Sequence, residues 1–174
     1  MDKLKKKVLY SRQEIQERVR QMAAAISEDY RGRELVVVGV LKGAFIFMAD
    51  LTRYLDLSCK VDFLRAASYG SGSMSSGEVV ITKDLEIDIE GKDVLLVEDI
   101  IDTGITLRFL AEKLKERKPR SLKVCAFIDK KLRRKVAFDA DYVGFTMDDA
   151  FLVGYGLDYN EMGRVCPDIC EIEL

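Results

Sequence analysis

Histidine is absent from the 174 residues, and that gap removes more chemistry than any other feature of the chain. Without it there is no Ser–His–Asp or Cys–His nucleophilic arrangement and no histidine metal ligand, so carboxylates, lysines and backbone dipoles must carry any reaction. Cysteine is sparse as well. Cys59, Cys125, Cys166 and Cys170 show no C-x-x-C spacing, and the first two stand in apolar surroundings typical of reduced core residues. No apolar run approaches the roughly 18 residues that would span a bilayer, and Met1 to Tyr10 is basic without the long apolar stretch of an export signal. A net charge of −2 gives no electrostatic case for nucleic acid, although Lys130-Lys131 and Arg133-Arg134-Lys135 are local basic runs. Together these absences lead us to expect a cytoplasmic enzyme, a single domain over residues 1–174, with neither membrane nor nucleic acid as partner.

What is present is organised around Lys92 to Thr106. Val94 to Val97 is a continuous apolar run with no helical period, bounded by Gly91 and by charge, and reads as a strand buried on both faces. Glu98 and Asp99 follow at once, then Asp102 and a Thr103-Gly104-Ile105-Thr106 turn. After the turn Leu107, Leu110, Ala111 and Leu114 recur at helical spacing, so the loop leads into a helix N-terminus. Free N–H groups and the dipole make such a terminus an anion site, the threonine hydroxyls add hydrogen bonds, and Gly104 admits close backbone approach. Acids beside a phosphate repel it unless they face sugar hydroxyls or magnesium, which takes one or two carboxylates plus substrate oxygens. The ligand expected here is a phosphorylated sugar.

The rest of the chain alternates strands and helices. Ser11 with Glu14 makes a capping-box pattern ahead of Ile15, Val19, Met22, Ala23 and Ile26, an amphipathic helix running to Gly32. Leu35 to Val40 is a buried strand, followed by Leu41-Lys42-Gly43 and a helical run from Ala44 to Tyr54. Val61 to Ser68 and Val79 to Leu85 read as strands around Tyr69-Gly70-Ser71-Gly72-Ser73-Met74-Ser75-Ser76-Gly77-Glu78. That segment lacks the third glycine of a dinucleotide loop and no helix follows it, so it reads as a flexible hairpin. Phe109 to Lys118 completes the helix after the central loop, Pro119 marks its end, and Leu122 to Ile128 is the next strand. Tyr142 to Met147 and Phe151 to Tyr155 are short strand candidates. The alternation predicts a central parallel sheet with helices on both faces.

Val97-Glu98-Asp99-Ile100-Ile101-Asp102-Thr103-Gly104-Ile105-Thr106-Leu107 closely resembles the phosphoribosyl pyrophosphate signature of the type I phosphoribosyltransferases, and the resemblance covers nearly the whole chain. Asp141 to Phe145 and Phe151 to Tyr159 resemble the purine-binding part of those members that act on hypoxanthine and guanine. The resemblance implies an α/β fold with a small hood subdomain, from about 141 to 174 with part of the N-terminus, and a hairpin loop at about 68–79. It implies transfer of 5-phosphoribose from phosphoribosyl pyrophosphate to N9 of hypoxanthine or guanine, giving IMP or GMP and pyrophosphate, with Mg2+ as cofactor.

Carried over residue by residue, the resemblance implies that Glu98, Asp99, Asp102, Thr103, Gly104, Ile105 and Thr106 bind the ribose phosphate, with Asp102 taking the proton from purine N7. Lys42, Gly43 and Arg164 would meet pyrophosphate through a loop with a cis peptide, and Lys130 would reach the base oxygen. Phe151 would stack on the ring, Leu152 would offer backbone groups to the base edge, and Asp158 would complete the base site and bind magnesium with Glu98 and Asp99. Ser68 and Tyr69 would belong to a loop that closes over the site. A homodimer or homotetramer is implied too. Asp148 and Ala150 depart from the proline and lysine common at their positions, and 165–170 departs from the usual ending. Two other readings start from the same residues: a phosphoribosyltransferase for xanthine or adenine, and a nucleotide-sensing regulator that binds RNA through Lys131, Arg133 and Arg134.

Overall fold

In the computed structural model, residues 6–69 and 78–173 are described. In chain order the elements are β1 (Lys6–Tyr10), α1 (Arg12–Asp29), β2 (Leu35–Val40), α2 (Phe45–Tyr54), β3 (Cys59–Tyr69), β4 (Glu78–Lys83), β5 (Asp93–Ile101), α3 (Ile105–Lys115), β6 (Ser121–Lys130), β7 (Tyr142–Met147), β8 (Leu152–Val153) and β9 (Ile169–Ile172). A short 3-10 turn, Lys131–Arg133, follows β6. The capping box forms as its residues predict: Ser11 N donates to Glu14 Oε2 at 2.9 Å, and Glu14 N to Ser11 Oγ at 3.4 Å.

The large sheet has the order β4-β3-β2-β5-β6-β7. Its strands run parallel except β4, which pairs antiparallel with β3 as the far arm of the hairpin. Alternate residues explain the unbroken apolar runs. Leu35, Val37, Leu95 and Val97 face Ile15, Val19, Met22, Phe47, Met48 and Leu51 of α1 and α2, whereas Val36, Val38, Val94 and Leu96 face Leu107, Leu110 and Leu114 of α3. Both faces are covered, so neither set of side chains tolerates a polar residue. α2 follows β2 on one face and α3 follows β5 on the other. The neighbouring strands β2 and β5 therefore bound a topological switch point, and the crevice beyond their carboxyl ends is where open α/β sheets take ligands.

A second, antiparallel sheet of order β1-β9-β8 forms the hood. Its boundary differs from the expected one near residue 141. Tyr142–Met147 pairs parallel with β6 and completes the large sheet, so the hood proper takes up the chain at about residue 152 with β8. Phe151 to Tyr155 is strand only at Leu152–Val153, because Gly154, Tyr155 and Gly156 stand at φ 103°, 50° and 100° and leave the ladder. α3 stops at Lys115 rather than Lys118, and Lys118, crowded out of the helical region by Pro119, sits at φ 54°. The expected loop falls mostly outside the described residues: β3 and β4 pair as far as Tyr69↔Glu78, and residues 70–77 are not described, nor are the side chains of Ser68 and Tyr69. All four cysteines are free thiols.

Candidate active site

The crevice is lined on one side by the end of β5. Glu98, Asp99, Ile100, Ile101, Asp102, Thr103, Gly104, Thr106 and Leu107 enclose a cavity of about 210 Å³. Gly104 caps α3 at φ 80°, a left-handed conformation that lets the loop turn its backbone N–H groups inward at the helix start. Thr103 Oγ1 accepts from Ile105 N at 3.4 Å and holds the turn. Asp102, Thr103, Gly104 and Thr106 thus stand together around this cavity at the start of α3.

Glu98 is buried and Asp99 half-buried, and each carboxyl is pushed up from its ordinary value, Glu98 strongly. Burial is the main cause for both, and the neighbouring acid adds to it for Glu98. Such a pair favours a proton or a cation. Oxygen donors of this kind suit a hard divalent ion that completes its shell with substrate oxygens. Asp158 stands apart from them: its Oδ1 lies 2.7 Å from Arg164 Nη2, and its Oδ2 accepts from Glu161 N at 2.8 Å. Among the described residues no three acidic or thiol side chains converge into a metal cluster, so Glu98, Asp99 and Asp158 do not form a cage by themselves.

The opposite wall is the Leu41-Lys42-Gly43 loop after β2, whose Leu41–Lys42 peptide is cis as the resemblance implies. A β-carbon on Gly43 would come within 1.7 Å of Asp99 Oδ2, and one on Gly156 within 2.1 Å of the Gly43 carbonyl oxygen. Only glycines allow β5, the β2 loop and the hood to close together here. Arg164 is fixed in this junction by donating to the Gly156 carbonyl at 2.8 Å. Lys42 Nζ and Arg164 Nη2 both approach Glu161 Oε2, at 2.9 and 3.3 Å. The hydrogen bond from Lys42, with that from Arg164, holds the Glu161 carboxyl below its ordinary range.

The base-side residues also come together. Lys130, buried at the end of β6, donates through Nζ to the Ala150 carbonyl, next to Phe151 and Leu152. Burial pushes its ammonium down from the ordinary lysine value, against the opposing pull of Asp102 and Asp149. Phe151 leaves about half its surface exposed, a ring face open to stacking, while Leu152 is buried in β8.

Two supports were not legible in the sequence. Asp129, buried on β6, pairs with Arg134, whose methylenes pack on Gly104 while Lys135 N donates to the Thr103 carbonyl at 2.9 Å. Arg133 Nε lies 3.2 Å from Asp102 Oδ1 and its Nη1 3.4 Å from Asp149 Oδ1. Opposite charges five residues apart across a turn were a signal for the first. Glu161 was missed as well; its place in a two-residue turn beside Asp158 was the available cue.

Residues 7–160 match the family model described as Phosphoribosyl transferase domain. A hypoxanthine-guanine phosphoribosyltransferase of Aquifex aeolicus is 52% identical over 170 residues, covering 97% of this chain and 96% of that one. Its namesake in Bacillus subtilis is 47% identical over 163 residues, 94% of this chain and 91% of that one. A crystal structure of a hypoxanthine phosphoribosyltransferase from Staphylococcus aureus matches with a TM-score of 0.94 at 44% identity, covering 99% of this chain and 93% of that one.

Proposed function

The chain belongs to the phosphoribosyltransferase family, and from that premise we propose how its crevice transfers 5-phosphoribose from phosphoribosyl pyrophosphate to N9 of hypoxanthine or guanine. The products are IMP or GMP and pyrophosphate. The observation that carries the choice of base is Lys130, a buried ammonium that ends beside Phe151 and Leu152 and within the field of Asp102.

The sugar phosphate sits on the 102–106 cradle, where N–H groups and threonine hydroxyls match its charge. Glu98 and Asp99 turn towards the ribose. As the bond from C1′ to pyrophosphate oxygen breaks and the bond to N9 forms, positive charge grows on the ribose and the acidic wall of β5 stabilises it. Glu98, Asp99 and, once released from Arg164, Asp158 are the carboxylates we propose would hold magnesium, which would supply charge neutralisation for the leaving pyrophosphate. Lys42, Gly43 and Arg164 receive the pyrophosphate. Asp102 takes the proton lost from N7, after moving off Arg133.

On the base, Lys130 donates to the C6 oxygen, Phe151 stacks and Leu152 presents backbone groups. An ammonium has donors only, so a 6-oxo group satisfies it and the 6-amino group of adenine does not. We take the protein to work in the cytoplasm, where its soluble substrates would meet it. Steady-state rates with hypoxanthine, guanine, xanthine and adenine, each with phosphoribosyl pyrophosphate and magnesium, test this reading. Hypoxanthine and guanine should turn over and adenine should not; equal use of adenine would sink the assignment of Lys130.

A further inference from the structure

The turn at Asn160-Glu161 is built against ordinary backbone preference. Tyr159 and Met162 exchange two backbone hydrogen bonds, of 3.0 and 3.1 Å, so Asn160 and Glu161 are the central pair of a tight hairpin. Both stand at positive φ, 50° and 61°. Asparagine suits the first central position of such a turn and glycine the second, where any β-carbon is disfavoured. A glutamate held in this conformation is an outlier of the kind that accompanies function.

Its side chain supplies the reason. Glu161 Oε2 lies between Lys42 Nζ at 2.9 Å and Arg164 Nη2 at 3.3 Å, the two cations assigned above to pyrophosphate. Asp158 fixes the turn from below by accepting Glu161 N at 2.8 Å, and its other oxygen lies 2.7 Å from the same Arg164 nitrogen. A carboxylate and a phosphate oxygen compete for the same ammonium and guanidinium donors. The Glu161 side chain is 66% exposed, so it can swing into solvent without leaving a buried charge behind. Exposed pairs are individually weak, which suits a contact meant to be broken by a more highly charged anion.

We propose that Glu161 is an internal competitor for the pyrophosphate subsite. Its carboxylate leaves Lys42 and Arg164 when the diphosphate of phosphoribosyl pyrophosphate arrives, and reclaims them as pyrophosphate departs. The residue trades affinity for the leaving group against its rate of release, the step through which related affinities usually differ. The inference rests on the assignment of Lys42 and Arg164 to pyrophosphate.

Two variants separate charge from backbone. Glu161→Gln removes the charge and keeps the disfavoured conformation; Glu161→Gly removes both and gives the turn its preferred residue. Calorimetric titration of the whole protein with inorganic pyrophosphate and magnesium, at low and at high salt, should show both variants binding about three- to tenfold tighter than wild type, the size that two exposed ion pairs carry. That gain should shrink at high salt. Unchanged or weaker binding in both, or tighter binding in Glu161→Gly alone, overturns the proposal. Formation of IMP by the wild-type preparation tests the underlying reaction separately: a protein that makes no nucleotide sinks that reading, while the pyrophosphate titration still decides the role of Glu161.

Discussion

The large sheet and the hood supply one crevice by different routes. In the large sheet a strand, its loop and the next helix are contiguous, from Asp93 to Lys115, and the residues proposed to cradle the sugar phosphate all lie within that span. The hood draws on both ends of the chain: Lys6 pairs with Ile172, Val8 with Cys170, and Val153 with Cys170 on the other side. Chemistry placed on the first is set by local geometry. The walls that the second adds depend on pairings between residues remote in sequence.

If that contrast governs function, damage to the contiguous motif should strike turnover, and damage at the junction where Lys130, at the end of β6 in the large sheet, meets the chain entering the hood should strike choice of base. Asp102→Asn should lower kcat by roughly 10²–10⁴, the usual range for a general acid or base, while leaving the fold intact. Near-normal turnover in a steady-state assay would remove Asp102 from proton transfer. Lys130→Ala should lower kcat/KM for hypoxanthine and guanine by about 10–100-fold, the size of a hydrogen bond to a charged group, and narrow the gap to adenine. Phe151→Ala should weaken both 6-oxopurines about equally, since every purine has a face to stack. A Lys130→Ala enzyme that keeps its base preference would erase the proposed contrast.

The acid pair on β5 yields a smaller effect, on stability. Glu98 and Asp99 have raised folded values, so folding favours their protonated forms. That stability is fully present below the ordinary carboxylate value of about 4 and is lost as pH rises through the raised folded values. Compared with a Glu98→Gln, Asp99→Asn double variant, the wild type should therefore lose stability as pH rises above about 4. Parallel thermal melts across that range, without added metal, check it; identical pH profiles would count against a buried, repelling pair. The smallest effect belongs to the hood. Asp168 Oδ1 accepts from Arg12 N at 2.7 Å and so caps α1 from the far end of the chain. Asp168→Ala should cost about 0.5–2 kcal/mol in denaturant unfolding. It should raise KM for hypoxanthine more than KM for phosphoribosyl pyrophosphate; the reverse order would undo the separation between the two regions.

The same contrast explains what the sequence made legible. Val94 to Thr106 could be read directly, because apolar run, acids, glycine and helix start follow one another and each has a local physical cause. The switch point between β2 and β5 was not legible, because it depends on which strands become neighbours in the sheet. What escaped was long-range. Nothing local in Tyr142–Met147 says that it joins β6 rather than the hood, and the single antiparallel strand β4 is set by the hairpin that precedes it. The Asp129–Arg134 prop and the grip of Glu161 on Lys42 depend on how segments fold against each other, and the Lys42 contact crosses from one region to the other.

The pairing of β1 with β9 has a consequence for how the protein is made. On the ribosome the strand containing Lys6 emerges ahead of every other element described and waits unpaired until the segment around Ile172 appears. β5 and α3 are made long before it, yet Leu95 and Val97 of β5 share their core with Leu152, Tyr155, Leu157 and Ile169, so that core closes only when the hood segment follows. A stalled or clipped nascent chain would therefore expose an unfilled core beside β5 together with an unpaired β1.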